Sequence, residues 1–79
     1  ELGFEEERTS AIVRAFLADC GLDVHFGMGR TGVVGTLHGT GDGPSIALRA
    51  DMDALDVPET ADRPHCSKVP GKMHACGHD

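Results

Sequence analysis

Cysteine and histidine residues are concentrated near the end of the chain. Five of them lie within fourteen positions, and all are possible ligands for a transition metal: His65, Cys66, His74, Cys76 and His78. Thiolate sulfur and neutral imidazole nitrogen are ligands that zinc and related metals bind readily. This concentration predicts a metal site in the last part of the chain.

Cys76 and His78 are the best-spaced pair in this segment. Only Gly77 separates them, and in an extended segment or a loop this spacing lets both side chains converge on one ion. Binding requires a deprotonated thiol and a neutral imidazole whose second nitrogen is held by an acceptor. Asp79 or a backbone carbonyl can act as that acceptor.

Two other interpretations of the segment stay open. One is a histidine-rich loop that binds nothing. The other is a closed structural zinc site in which His65 or Cys66 joins His74, Cys76 and His78. A closed site of this kind supports a fold and keeps no position open for a substrate.

Two carboxylates follow a short, mostly apolar segment at positions 45–50. They are Asp51 and Asp53. In α/β sheets, ligands bind in the crevice beyond the carboxyl ends of the strands, so one or both carboxylates are candidates for a metal site shared with the Cys/His segment. A plain solvated turn explains these two residues equally well.

The first element that positions these residues is a predicted helix over 5–20. Its apolar residues recur at the helical period, on one stripe: Ile12, Val13, Phe16, Leu17 and Cys20. Three glutamates at 5–7 suit the positive end of the helix dipole and are expected to be solvated. Gly21 is expected to end the helix, and Cys20 to be a small buried residue.

Three strands are predicted after the helix, over 22–26, 32–38 and 45–50. The third is expected to be buried on both faces and to form an antiparallel hairpin across the turn at 39–44. His25 and His38 lie singly on strands and are interpreted as exposed or satisfied side chains. From Asp51 onward three prolines interrupt regular structure, which predicts a long loop.

A glycine pattern at 27–32 formally matches the dinucleotide-binding pattern G-x-G-x-x-G. Such a loop must open a helix whose N-terminus faces the pyrophosphate. The residues that follow are typical of a strand, so the pattern indicates a glycine-rich connection between strands.

Composition and charge exclude several classes of partner. The formal net charge is −6, and the seven basic residues are scattered, which argues against nucleic acid and an anionic membrane surface. No apolar run approaches the roughly 20 residues that span a bilayer. Three cysteines are an odd, sparse set for a secreted domain and favour a reducing, cytoplasmic setting.

The amino-acid sequence at three places resembles the M20 metallopeptidase family, specifically its amidohydrolase branch. These places are LRADMDAL at 48–55, the single residue Glu59, and MHACGHD at 73–79. The branch contains hippurate hydrolases, N-acyl-amino-acid amidohydrolases and plant auxin-conjugate hydrolases. The resemblance implies an α/β/α sandwich catalytic domain, of which residues 1–79 would be the N-terminal portion, with a lid or dimerisation domain outside this chain.

The resemblance also implies roles for individual residues. Cys76 and His78 would be metal ligands, with Cys76 between two ions, and Asp53 would be the catalytic-site carboxylate that supports the site from the strand end. Asp51 stands where many relatives outside this branch have a histidine ligand, so its role stays open. Asp56 departs from the family pattern, which usually has proline there, and this puts the local loop path in doubt.

The implied reaction is cleavage of the amide bond of an N-acyl or aroyl amino acid, such as a hippurate-like substrate. It would use two divalent cations, zinc or manganese first, with nickel or cobalt as alternatives. The general base and remaining ligands would lie beyond Asp79, so the isolated chain is expected to be inactive, and oligomerisation would occur through the missing domain. The alternative is a self-contained, non-catalytic Cys/His metal-binding module.

Overall fold

The computed structural model describes residues 1–77. It contains one helix and two strands: α1 (Glu7–Asp19), β1 (Asp23–Met28) and β2 (Gly32–Thr36). A helix followed by an antiparallel strand pair agrees with the predicted N-terminal part of an α/β domain. No helix among these residues is long and apolar enough to cross a membrane.

The start of α1 is held by the side chain of Glu1. Its carboxylate accepts hydrogen bonds from the backbone N–H groups of Arg8 and Thr9, at 2.9 and 2.7 Å, and from Thr9 Oγ1 at 2.7 Å. The first N–H groups of a helix have no partner within the helix, and an anion there also meets the positive end of the dipole. These bonds, the Thr9 hydroxyl first, lower the pKa of Glu1 to about 2.

Glu6 is buried, with 6% of its surface exposed, so the expectation of a fully solvated acidic start is wrong at this position. Its carboxylate accepts hydrogen bonds from the Thr31 hydroxyl and from the backbone N–H of Phe4. The Thr31 bond is the main reason that the pKa of Glu6 lies below its ordinary value. Because these donors compensate for lost hydration, the carboxylate can be buried, and it ties the helix start to the β1–β2 turn.

The glycine pattern at 27–32 forms the connection between β1 and β2, as predicted. The strands pair antiparallel, with His25 opposite Val34, and the register shifts between Phe26 and Met28. Gly27 has a φ of +84° and Arg30 a φ of +77°. Such left-handed angles reverse the chain tightly and favour glycine, which explains the glycines without a phosphate ligand.

α1 lies against the hairpin at Gly35 of β2. A Cβ at Gly35 would lie 3.0 Å from side-chain atoms of both Leu17 and Leu22, so the missing side chain permits the close approach. The predicted apolar stripe is only partly covered, because Ile12 and Phe16 remain 58% and 67% exposed. Cys20 is also exposed, which corrects the expectation of a buried cysteine.

The third predicted strand is not formed within residues 1–77. Positions 45–50 pair with no other strand, and Ile46 and Leu48 are 92% and 95% exposed. The antiparallel hairpin expected across 39–44 is therefore absent as well. A strand buried on both faces needs a hydrogen-bonding neighbour and a layer on each side, and the helix and two-stranded sheet of this region pack against each other instead.

Candidate metal site

Two backbone bridges fix the segment after position 50, one to the N-terminal segment and one to the segment that precedes Cys76. Leu2 and Ala54 form a parallel bridge, in which the Ala54 N–H donates to the carbonyl of Glu1 at 2.7 Å. Leu55 and Met73 form an antiparallel bridge and exchange two hydrogen bonds, of 2.8 and 3.1 Å. Ala54, at the centre, is 5% exposed. The carboxylate-bearing segment is thereby joined to both the N-terminus and the Cys/His segment.

The loop at 56–72 is closed by the second bridge and has contacts of its own. Glu59 accepts a hydrogen bond from the Ser67 N–H, and the Ser67 hydroxyl bonds with the backbone of Val69. At its base, Lys72 Nζ lies 3.7 Å from Asp56 Oδ1. Asp56, which replaces the proline usual in the family, thus has an ion-pair partner, although a surface pair contributes little stability.

The antiparallel bridge brings Asp51 to Cys76. Asp51 lies four residues before Leu55, and Cys76 lies three residues after Met73, so the two segments run side by side in opposite directions. Cys76 Sγ donates a hydrogen bond to Asp51 Oδ2 at 3.1 Å. Both residues are partly buried. A thiol and a carboxylate from distant parts of the chain therefore meet at one place.

Arg49 completes this cluster from the other side of Asp51. Its Nη2 lies 2.7 Å from Asp51 Oδ1. The Asp51 side chain is 18% exposed, whereas that of Arg49 is 84% exposed. The carboxylate thus has a cation on one oxygen and a thiol on the other, and most of it is shielded from water.

The donor chemistry of this cluster fits a divalent transition metal. A thiolate sulfur and a carboxylate oxygen are both accepted by zinc, and mixed sulfur and oxygen donors also suit neighbouring metals. His78, the second predicted ligand, lies outside the described residues. Within 1–77, no group of three or more His, Cys, Asp or Glu side chains is placed to hold an ion. Two donors are adjacent, and a complete site needs others.

The closed structural zinc site is not assembled in the described part of the chain. That interpretation requires at least three of its four ligands to come from His65, Cys66, His74 and Cys76, and no such trio is grouped within residues 1–77. His65 and His74 are exposed.

Asp53 has a different neighbour from Asp51. Its Oδ2 lies 3.5 Å from the position that a Cβ at Gly3 would take, on the side of the N-terminal segment. The sequence made one or both of these carboxylates candidates for a single metal site. In the described region the structure brings Asp51 to Cys76, and it places Asp53 beside the turn at Gly3. The catalytic role of Asp53 stays a prediction.

His25 and His38 are exposed, as predicted, and they share a partner that the sequence interpretation did not name. Asp23 Oδ2 lies 3.7 Å from His25 Nε2 and 3.5 Å from His38 Nε2. One sequence signal could have indicated the contact of Asp23 with His25, because residues two apart on a strand share a face. The pairing of Thr36 with Asp23, which brings His38 near, is decided by the tertiary structure. All three side chains are more than half exposed, so this is a solvated surface cluster.

Several known proteins are similar to this chain in sequence. Residues 47–79 match the model of Peptidase family M20/M25/M40. The whole chain is 57% identical to "IAA-amino acid hydrolase ILR1-like 4" of Arabidopsis thaliana, covering 18% of that protein. It is 46% identical to "Putative amidohydrolase YhaA" of Bacillus subtilis and 51% identical to "Thermostable carboxypeptidase 2" of Saccharolobus solfataricus, covering 20% of each.

These relatives are named as hydrolases and peptidases. Over residues 47–79 the chain matches the M20 family, and over its whole length it is similar to proteins named as amidohydrolases. It spans about a fifth of the length of the curated relatives it matches.

Proposed function

We propose that residues 1–79 are part of the catalytic domain of a metal-dependent amidohydrolase that cleaves the amide bond of N-acyl or aroyl amino acids. The observation that carries the proposal is the meeting of Cys76 and Asp51, at 3.1 Å, within a segment that matches the M20 family. Two donors of the kind that bind a divalent cation are assembled where the family sequence is most characteristic.

In this proposal Cys76 and His78 hold the metal, and two divalent cations are bound in the complete enzyme. Zinc or manganese is the first choice, and nickel or cobalt suits the same donors. A bound cation supplies a water of lowered pKa and polarises the amide carbonyl. Asp53 is the carboxylate that supports the site, and the Leu55–Met73 bridge keeps the segment of Cys76 beside that of Asp51.

The substrate class is supported by the names of the relatives. They are described as hydrolases of IAA-amino acid conjugates and as carboxypeptidases, and both descriptions involve an amide bond beside an amino acid. We include hippurate-like aroyl amino acids in the class and take IAA-amino acid conjugates as the second candidate. The partner is thus a small molecule, with no role for nucleic acid or a membrane surface.

The remaining parts of the proposal concern the complete protein. The rest of the catalytic domain, the general base and a lid or dimerisation domain lie outside residues 1–79, and dimers or larger oligomers form through that domain. The protein works in the cytoplasm. The 79-residue chain by itself lacks hydrolytic activity, because it has neither the general base nor a full ligand set, and loss of general-base catalysis alone costs roughly 10²–10⁴-fold.

The test uses the full-length protein that contains these residues. Release of free amino acid is measured from hippurate, an IAA-amino acid conjugate and an unblocked dipeptide, before and after removal of metal by a chelator. We expect hydrolysis of at least one acylated substrate, loss of activity on chelation, and recovery with zinc, manganese, cobalt or nickel. Hydrolysis that survives complete metal removal would contradict the proposal.

The 79-residue chain serves as the comparison. Stoichiometric metal binding by this chain, with no hydrolysis of any substrate by the full-length protein, would favour the alternative of a non-catalytic metal-binding module. Hydrolysis by the chain at the rate of the full-length protein would contradict the assignment of missing catalytic parts.

A further inference from the structure

We propose that a second binding site lies between α1 and the β1–β2 hairpin, and that it binds a small organic acid with one carboxylate and an apolar body. The site consists of two cavities that meet at Arg14 and Phe26, since both residues line both cavities. The described residues that line them lie between positions 7 and 31, whereas the candidate metal site lies beyond position 50. The inference therefore goes beyond the proposed function and needs neither Cys76 nor a metal.

The first cavity has a volume of about 190 Å³ and offers positive charge and hydrogen-bond donors. Its polar lining residues are Glu7, Ser10, Arg14, Arg30 and Thr31. Neither arginine has an ion-pair partner within residues 1–77. Two arginines and one glutamate leave one positive charge on this lining, which a single carboxylate would neutralise. A guanidinium also presents its N–H donors in a fork that fits a carboxylate.

The buried carboxylate of Glu6 does not compete for this position. Glu6 is not among the residues that line the cavity. One of its oxygens accepts from the Thr31 hydroxyl and the other from the backbone N–H of Phe4. Its charge is thus already compensated by donors, and the two arginines are left for a ligand.

Ser10 is an independent indication of a ligand at the first cavity. The residue is 8% exposed, and its hydroxyl has no hydrogen-bond partner in the described part of the chain. Polar groups this deeply buried are normally hydrogen-bonded. Because Ser10 lines the cavity, an acceptor oxygen bound there would satisfy the hydroxyl.

The second cavity is larger, about 400 Å³, and mostly apolar. Besides Arg14, its lining residues are Ala11, Ala15, Ala18, Val24 and Phe26. The guanidinium carbon of Arg14 lies 3.4 Å from the centroid of the Phe26 ring, and this stacking holds the cation where the two cavities meet. Apolar walls with a few placed polar groups are typical of small-molecule sites.

The pairing of the two cavities determines the class of ligand. Inorganic phosphate would use the charged cavity and leave the apolar one in water. A neutral apolar molecule would leave both arginines and the Ser10 hydroxyl without partners. A monocarboxylic acid with an apolar body fills both, because burial of its apolar part and the charge-assisted hydrogen bonds act together.

The experiment is a titration of the full-length protein with isotope-labelled alanine methyl groups, followed by methyl NMR. Phenylacetate is the ligand, phenylacetamide is its neutral counterpart, and acetate is the acid without the ring. The methyl groups of Ala11 and Ala15 report on the proposed site. Ala54, which is buried in the segment of the candidate metal site, reports on that other site.

We expect phenylacetate to shift the signals of Ala11 and Ala15 saturably. Phenylacetamide and acetate should each bind at least about tenfold more weakly, because the first lacks the charge and the second lacks the apolar area. Equal binding of phenylacetamide would contradict a carboxylate site, and equal binding of acetate would contradict a role for the apolar cavity.

Four variants test the residues of the site. Arg14→Met keeps a long side chain over Phe26 and removes the charge, and Arg30→Gln removes the other charge. Each should weaken phenylacetate binding about tenfold or more, and Ser10→Ala should weaken it roughly 2–10-fold. Arg8→Gln is the matched control, since Arg8 is an exposed arginine of α1 that lines neither cavity, and it should bind like wild type.

Two results would overturn the inference. The first is wild-type affinity in both Arg14→Met and Arg30→Gln. The second is the absence of a saturable shift at Ala11 and Ala15 in the wild-type protein, including the case in which only Ala54 responds; the cavities would then be covered by another part of the full-length protein or bind nothing. Because Ala54 is followed separately, neither result depends on whether the proposed hydrolase function is correct.

Discussion

Leu55 and Met73 exchange two backbone hydrogen bonds and thereby close the loop between them. This bridge is the structural reason that Asp51 and Cys76 meet. It is antiparallel, so the segment that precedes Leu55 and carries Asp51 lies beside the segment that follows Met73 and carries Cys76. Leu2 and Ala54 form the second fixed point on the opposite edge. The geometry of the candidate site thus depends on main-chain pairing as much as on side chains.

The first prediction concerns these backbone bonds. The amides of Leu55 and Met73 should exchange with deuterated water at least about tenfold more slowly than the amide of Ala61, which lies in the exposed part of the same loop, because exchange of a bonded amide requires local opening. Hydrogen exchange followed by NMR or mass spectrometry provides the measurement. Equal rates at the three amides would show that the bridge does not hold the loop in solution.

The second prediction concerns the proposed ligands in the full-length protein. Cys76→Ser and His78→Ala should each lower metal content, and the rate should fall by more than the roughly 10–100-fold that replacement of a merely orienting residue costs. A serine hydroxyl is far less acidic than a thiol and binds these metals poorly. Elemental analysis and the hydrolysis rate are measured together.

Cys66→Ser is the control for this pair, because Cys66 lies in the loop at 56–72 and, like Cys76, forms no disulfide. It should leave both metal content and rate unchanged. Full metal occupancy in Cys76→Ser or in His78→Ala would remove that residue from the ligand set.

The third prediction concerns Asp53. In the full-length protein, Asp53→Asn should reduce kcat by about 10–100-fold while most of the metal stays bound, as expected of a carboxylate that orients the site without binding the ion. The asparagine keeps the size and one acceptor oxygen and removes the charge. Asp56→Asn should have the wild-type rate. Either a wild-type rate or complete metal loss in Asp53→Asn would be the contrary result.

The fourth prediction concerns acid stability. The pKa of Glu1 is lowered from 4.5 to about 2 in the folded protein, chiefly by the Thr9 hydroxyl and the N–H groups at the start of α1. Because the folded pKa lies below the unfolded one, the contribution of Glu1 to stability is fully present above pH 4.5 and is lost as the pH falls towards 2. Glu1→Gln should therefore be less stable than wild type above pH 4.5, and the difference should shrink towards pH 2.

Urea unfolding across this pH range measures the difference. Glu5→Gln is the matched control, since Glu5 is an exposed glutamate of the same segment, and its difference from wild type should vary less with pH. A Glu1→Gln curve parallel to that of wild type would show that the carboxylate does not cap the helix.

The fifth prediction concerns the buried Glu6. Thr31→Val keeps the shape of the side chain and removes the hydroxyl that donates to Glu6. A buried carboxylate that loses a donor costs about 1–3 kcal/mol of unfolding free energy. Thr40→Val, at an exposed loop position, should have little effect. Equal stabilities of the two variants, measured by urea unfolding, would contradict a structural role for this contact.

Local sequence signals were sufficient for the helix, the first two strands and their glycine-rich connection, because each depends on neighbours within a few residues. The period of apolar residues gives α1 (Glu7–Asp19), and the glycines around Arg30 supply the left-handed angles of the turn. The resemblance to the M20 family, too, could be seen in the residues at 48–55 and 73–79. Cys76 and His78 were selected by their spacing and by the resemblance of 73–79 to the M20 family.

Tertiary structure decided the contacts between distant residues. No local pattern indicated that Glu6 would be buried against Thr31, or that the two carboxylates of 51–53 would face different neighbours. The prediction of a third strand was wrong because it also depended on distant residues. The composition of 45–50 indicates burial, but a strand forms only when another segment supplies hydrogen bonds and a covering layer. Periodicity along a chain records which residues tend to be buried, whereas their partners depend on how the chain closes its loops.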